Sequence, residues 1–307
     1  MNILGVIGYI WVAVSLAKTV RSCVHAVQDS QILPVRQSDK MRHSVLLLFF
    51  SLANSYHVLF VHNMGTKSHL ITMKPIIEET LARGHKVTSI FFNTIQLNHE
   101  NYTEIVIPSV IDKLYDVGSK KLMEKGGNNI FNPQLWLWAF NMYQEYMDDF
   151  ALDVLSPEPV LELIKKKPKI DVVVSMIPNM AIFAEIFDCP LITFMPAGPV
   201  SFMMKGTTNV INHSVQPSLL APLIEPMSFM DRLKNHALVN FVYLYMIWWT
   251  GFMFSFQKDF LKSELGLDVN DPDTILTERL AIYLSHSHPI THGAWQYLPN
   301  IIEVRKK

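Results

Sequence analysis

Cysteine is nearly absent from this chain. Cys23 and Cys189 are the two among 307 residues, so at most one disulfide can form and no disulfide framework holds the fold. Charge is also scarce. Asp, Glu, Lys and Arg make up 17% of the chain and nearly cancel, at a net −1. That leaves no basic field to hold nucleic acid and no acidic tail. The run Lys165-Lys166-Lys167-Pro168-Lys169 reads as a solvated loop before a strand. A phosphate-gripping glycine loop is missing as well, because GTKSH at 65–69 lacks both the glycine pattern and the lysine spacing. No G-x-S-x-G nucleophile elbow occurs, and no internal repeat or low-complexity linker is visible. His286, His288 and His292 crowd one short stretch. Histidines at i and i+2 on a strand can share a metal, but the stretch reads as a histidine-rich strand end and loop, and no metal is expected.

What the chain has in quantity is apolar surface. Half of its residues are hydrophobic, enough for a sizeable core and too many for disorder. Three long apolar runs stand out. Residues 3–17 precede Lys18 and Arg21, the wrong charge order for a cleaved signal. The stretch MRHSVLLLFFSLANS from Met41 has its positive charge first and small residues at Ala53 and Ser55, so 41–55 is expected to be a signal peptide and 1–40 an extension. Entry into the secretory pathway would make Asn101 and Asn212 glycosylation acceptors, each followed two residues later by Thr103 or Ser214. The third run, 237–256, is close to the roughly 20 residues of a spanning helix. Its polar residues, with Trp248 and Trp249 in its interior, favour a buried or membrane-leaning helix.

Between these runs the pattern alternates. YHVLFV at 56–61 reads as a strand. Leu70, Met73, Ile76, Ile77 and Leu81 then recur three to four residues apart, which predicts a helix N-capped by Ser68 and C-capped by Gly84. Pro75 is expected to kink or restart it. KVTSIFF at 86–92 is the next strand, completing a βαβ crossover. Strands follow at 102–107, 170–176, 191–195 and 281–285, with a helical region at 110–165 and a short helix at 178–187. IDVVVSM is apolar almost throughout, as a strand covered on both faces should be. The expected fold class is α/β, a Rossmann-like doubly wound parallel sheet, with residues 56–307 as one domain after the leader. The aromatic cluster Trp136, Trp138, Phe140, Tyr143 and Tyr146 is either core or the lining of an apolar pocket.

In such a sheet ligands sit at the carboxyl ends of the strands. His69, at the start of the first helix, falls there. The partial positive charge of a helix N-terminus disfavours imidazolium and suits a neutral ring to accept a proton.

The stretch SHLITMKPIIEETLARGHKVT resembles the first helix of the UDP-glucuronosyltransferase family of UDP-glycosyltransferases. IDVVVSMIPNMAIFAEIFDCPLITFMPAGP, PMSFMDRL and YLPNIIEV resemble further blocks of that family in the same order. The resemblance runs from about Met41 to Val304. It implies a GT-B fold, of which this chain would be the amino-terminal, acceptor-binding half. His69 would be the base that takes a proton from the hydroxyl of a small lipophilic acceptor, whose oxygen attacks the sugar of UDP-sugar. No cofactor is implied, UDP-sugar being a co-substrate. Trp136, Phe140 and Phe202 become candidates for acceptor binding. The membrane surface, the endoplasmic reticulum and pairing with copies or relatives follow as the expected surroundings. Two departures stand against this. The family's orienting carboxylate falls on Met176, whose thioether carries no charge, and Asp171, five residues earlier, points to the opposite sheet face. In a serine protease the loss of such a carboxylate's charge costs several powers of ten. The family's donor domain and membrane helix are also expected to be missing after YLPNIIEV. The alternative reading is then a non-catalytic binding or regulatory module.

Overall fold

A computed structural model of the chain describes residues 55–62, 67–107, 151–176, 178–196, 226–286 and 297–304, with scattered positions between 204 and 223. Its seven described strands are β1 (His57–His62), β2 (Lys86–Phe91), β3 (Tyr102–Val106), β4 (Val172–Ser175), β5 (Leu191–Met195), β6 (Leu280–Ser285) and β7 (Ile301–Glu303). They form one sheet in the order β3-β2-β1-β4-β5-β6-β7, with every neighbouring pair parallel. The chain builds outward from β1 to β3, then returns to the other side of β1 and builds outward again. This is the doubly wound arrangement, and its order reverses between β1 and β4.

The reason lies in the strand sequences. In β1, β2, β4 and β5 nearly every residue is buried, so both faces need cover. Parallel strands meet that need where a crossover carries a helix over a face, as between β1 and β2; the link from β2 to β3 carries none. Edge strand β3 differs: none of its residues is fully buried. The crossover helix α1 (Lys67–Ala82) buries Leu70, Met73, Ile76, Ile77 and Leu81, the residues that the 3–4 spacing selects. It ends in a Schellman motif. The Gly84 amide donates to the Leu81 carbonyl, the His85 amide donates to that of Thr80, and Gly84 takes a left-handed φ of 78°.

Two expectations about α1 need correction. It begins at Lys67, so Ser68 lies inside the first turn and not ahead of it. It also runs unbroken through Pro75, which is exposed, and so the helix does not restart there although the proline offers no amide to the ladder.

The remaining described helices are α2 (Glu158–Lys166), α3 (Ile182–Ile186, after a 3-10 turn at Pro178–Ala181), α4 (Phe229–Leu265) and α5 (Pro272–Arg279). The 37 residues of α4 far exceed the apolar run at 237–256. Ser228 opens the helix with a capping box to Asp231, and Gly266 closes it at φ 65°. Asp271 caps α5, accepting from the amides of Asp273 and Thr274, with Pro272 at the first helical position. Arg279 ties α5 to α3 through Glu185 at 3.0 Å. Strand β7 was not expected from the sequence. The leader at 1–55 except Ser55, the region 108–150, and His288 and His292 lie outside the described residues.

The topology sets a contrast that stability measurements check. Leu59, wholly buried in central strand β1, should lose about 2–5 kcal/mol on Leu59→Ala. Val106, exposed on edge strand β3, should lose about 0.5 kcal/mol or less on Val106→Ala. Urea unfolding of both variants reads the difference, and equal losses would contradict the strand order.

Candidate functional site

The β1–β4 boundary is where a doubly wound sheet opens a crevice, because the helices on its two sides leave in opposite directions. Three side chains fall at that end of the sheet, two of them, His62 and His69, in ring contact. His62 is the last residue of β1. His69 is the third residue of α1 and is half-buried. Met176 follows the last residue of β4 and is 2% exposed. The β1–β4 register pairs Phe60 with Val174 and Val61 with Ser175. Continued by one residue it sets Met176 beside His62, on the same sheet face.

His69 is held by its helix turn, where the Thr72 hydroxyl donates to the His69 carbonyl at 2.7 Å. Its ring meets that of His62 edge to face, with centroids 5.4 Å apart and planes at 66°. Phe92, just past β2, touches His62 in a similar edge contact at 5.8 Å. His62 is 2% exposed, and neither of its ring nitrogens has a hydrogen-bond partner among the described residues. Burial pushes its imidazole down to about 3, with the charge on His69 adding to the effect. An imidazole in this setting stays neutral, offering one N–H and one lone pair. Sequence reasoning ended the strand at Val61 and left His62 in the loop, whereas β1 includes it. The signal available was its place on the Val58–Phe60 face, after the apolar run Val58–Val61 and directly ahead of the loop to His69.

The other acid near β4 serves a different end of the sheet. The Asp171 carboxylate accepts from the His57 amide at 2.9 Å, and the Asp171 amide donates to the His57 carbonyl. It therefore pins the amino ends of β1 and β4 and lies about 16 Å of extended chain from Met176. No group of three or more His, Cys, Asp or Glu that could hold a metal occurs among the described residues.

A separate cleft of about 310 Å³ lies between α1 and the loop after β2. Lys67, Leu70, Ile71 and Lys74 line one side, with Thr94 and Gln96 on the other. Its wall does not include His69. Trp136, Phe140 and Phe202 lie outside the described residues. Asn212 is exposed, and its side-chain oxygen accepts from the Ser214 amide and hydroxyl. Asn101 is half-buried in the turn before β3.

A family model described as UDP-glucoronosyl and UDP-glucosyl transferase matches residues 57–290. The UDP-glycosyltransferase UGT4 of Dactylopius coccus is 24% identical over 267 residues, covering 84% of this chain and 50% of the relative. UDP-glucuronosyltransferase 2A3 of Mus musculus is 25% identical over 76% of the chain and 45% of the relative. UDP-glucuronosyltransferase 2B9 of Macaca fascicularis is 28% identical over 62% of the chain and 36% of the relative. The chain thus spans about half the length, or less, of these curated relatives. No solved structure matches it.

The depressed His62 sets a pH test. The unfolded chain titrates this histidine near its ordinary 6.5 and the folded chain near 3, so the unfolded chain binds more protons in between. The stability tied to neutral His62 is complete above pH 6.5 and is lost as pH falls toward 3. Urea unfolding of wild type and His62→Phe should therefore diverge below about pH 6, in the variant's favour, by about 1.4 kcal/mol per pH unit. Parallel stability curves would show that His62 charges freely in the fold.

Proposed function

The chain belongs to the UDP-glucuronosyl and UDP-glucosyl transferase family, and from that premise we propose that residues 56–307 form the acceptor-binding, amino-terminal lobe of a GT-B glycosyltransferase. The observation that carries this reading is the position of His69: half-buried in the first turn of α1, at the point where the strand order reverses. In this reading a small lipophilic alcohol or phenol places its hydroxyl against His69. The imidazole takes the proton as the oxygen bonds to the anomeric carbon of UDP-sugar. The bond from that carbon to UDP breaks, UDP leaves with the electron pair, and configuration inverts. A positioned base of this kind contributes about 10²–10⁴ in rate. UDP-sugar is bound by a second lobe, so it is a partner of the whole enzyme and not of this half.

Met176 favours a second reading. It is a buried thioether where the family's orienting carboxylate is expected, and it supplies no charge for a developing imidazolium. On that reading the chain binds acceptors, or pairs with relatives, without catalysing transfer.

Isothermal titration of the chain with 1-naphthol and with UDP-glucose separates these possibilities. The acceptor-lobe reading predicts that 1-naphthol binds, that UDP-glucose does not, and that His69→Ala weakens naphthol by about 2- to 10-fold, the worth of one hydrogen bond. Binding of UDP-glucose without naphthol would assign the chain to the donor side. Joined to a family donor lobe, an active wild type whose turnover falls about 100-fold or more in His69→Ala supports the enzyme. Inactivity that Met176→Asp relieves supports the non-catalytic module.

Helix α4 supports a place at a membrane surface, and with the leader at 1–55 we assign the protein to the endoplasmic reticulum. One face of the helix is fastened to the domain. Asn235 donates to the carbonyls of His213 and Gln216, and Gln257 donates to that of Ala151. The other face exposes Phe229, Leu233, Phe241, Leu244, Trp248 and Phe252, a stripe at helical spacing. A helix bonded to its own domain near both ends lies along the bilayer surface instead of crossing it. Leu244→Glu with Phe252→Glu should abolish co-sedimentation with phosphatidylcholine–phosphatidylserine vesicles while leaving the Tm within a few degrees. Unchanged sedimentation would remove α4 from the membrane contact.

A further inference from the structure

We propose that His62 is the positioning partner of His69: when His69 takes a proton, its second ring N–H donates to a lone pair of His62, which does the orienting work that Met176 cannot. This rests on the reading of His69 as the base, and it adds a residue to that site.

Three observations carry it. The first is distance. Two imidazoles joined by an N–H···N bond have their centroids about 5 Å apart, from a bond of about 3 Å plus the reach of each ring. The rings stand at 5.4 Å, so the pair already has the spacing of such a bond with strand and helix where they are. The second is availability. His62 is buried, and both of its nitrogens are without partners among the described residues. A buried polar group left so is costly to the fold, and a donor from His69 would satisfy it. The third is fixation. Phe92 packs against His62 in an edge contact, and the end of β1 holds its backbone, so the ring of His62 is held in place beside His69.

The charges around the pair agree. From β4, Met176 faces it and is neutral. From the end of β2, Phe92 faces it and is neutral. On α1 the nearest charged residue in sequence is Lys67, which is exposed. Among the described residues no acid joins the two histidines as a third group. His62 resists charging, so the pair holds one proton, on His69, and the electrostatic repulsion between two imidazolium rings does not arise. A neutral lone pair orients a ring and fixes its tautomer, but it stabilises the imidazolium less than a carboxylate does.

Nitrogen NMR of the chain with ¹⁵N-labelled histidine, titrated across pH 5–8, tests the pair without any donor sugar. In wild type one ring nitrogen of His62 should shift as His69 charges, while His62 itself remains neutral. His62→Phe, which keeps the packing and removes the lone pair, should lower the His69 midpoint by about half a unit or more and release its tautomer. His62→Gln, whose amide oxygen can accept the same bond, should restore at least part of the shift. A role in packing alone predicts that Phe leaves the His69 curve unchanged, and coincident curves for all three proteins would overturn the proposal. Should both variants fail to fold, a wild-type His62 nitrogen that does not respond to His69 overturns it equally. The two readings fail separately. Coupled rings in a chain that does not bind 1-naphthol would sink the acceptor site and leave the pair. Naphthol binding with uncoupled rings would do the reverse.

Discussion

Strand β1 is hydrogen-bonded on both sides, in parallel register to β2 through six residue pairs and to β4 through four. Everything placed at the site depends on that double pairing. It puts β2 and β4 on opposite sides of β1, so the strand order reverses between β1 and β4, the place where doubly wound sheets bind ligands at the strands' carboxyl ends. It also sets the faces: Phe60 with Val174 on one side, Val61 with Ser175 on the other. His62 and Met176 inherit their positions from that register, and His69 inherits its own from the short link between β1 and α1. A one-residue slip would turn His62 to the opposite face and dissolve the arrangement.

The same pairing explains why an uncharged site is tolerable here. His62 lies at the end of a strand whose every interior residue is buried, and a charge there would have to be desolvated without a partner. The neutral imidazole is the polar group this location can hold. Met176 follows the same logic, because a thioether packs into the core at no electrostatic cost. A carboxylate there would need the imidazolium of His69 to offset its burial. The protein has a core-compatible pair of side chains where the family resemblance led one to expect a charged one.

Much of this was legible in the sequence because the physical signals were strong and local. The 3–4 spacing from Leu70 to Leu81 selected the buried face of α1, and Gly84 marked its end. IDVVVSM announced a doubly covered strand. What failed to show had identifiable causes. Strand β7 is three residues long and draws its order from pairing with β6, a tertiary effect that no local pattern encodes. Helix α4 was read as the apolar stretch 237–256 because hydropathy sees the lipophilic middle. Its true ends were written in the Ser228–Asp231 capping box and in Gly266. Pro75 suggested a break, but the buried face continues past it through Ile76, Ile77 and Leu81 and the helix runs on. At the site, His69 stood out by its place at a helix start and Met176 by the resemblance. His62 did not, since its role depends on a ring contact between a strand end and a helix turn seven residues on. Trp136, Phe140 and Phe202 fall outside the described residues, so the acceptor lining stays as the sequence proposed it.

A crystal structure of the chain with 1-naphthol bound decides whether His69 receives an acceptor hydroxyl. The naphthol oxygen should lie within about 3 Å of a His69 ring nitrogen, at the carboxyl ends of β1 and β4. Naphthol seated elsewhere, for example in the lysine-edged cleft between α1 and the loop after β2, with His69 untouched, would refute that role for His69.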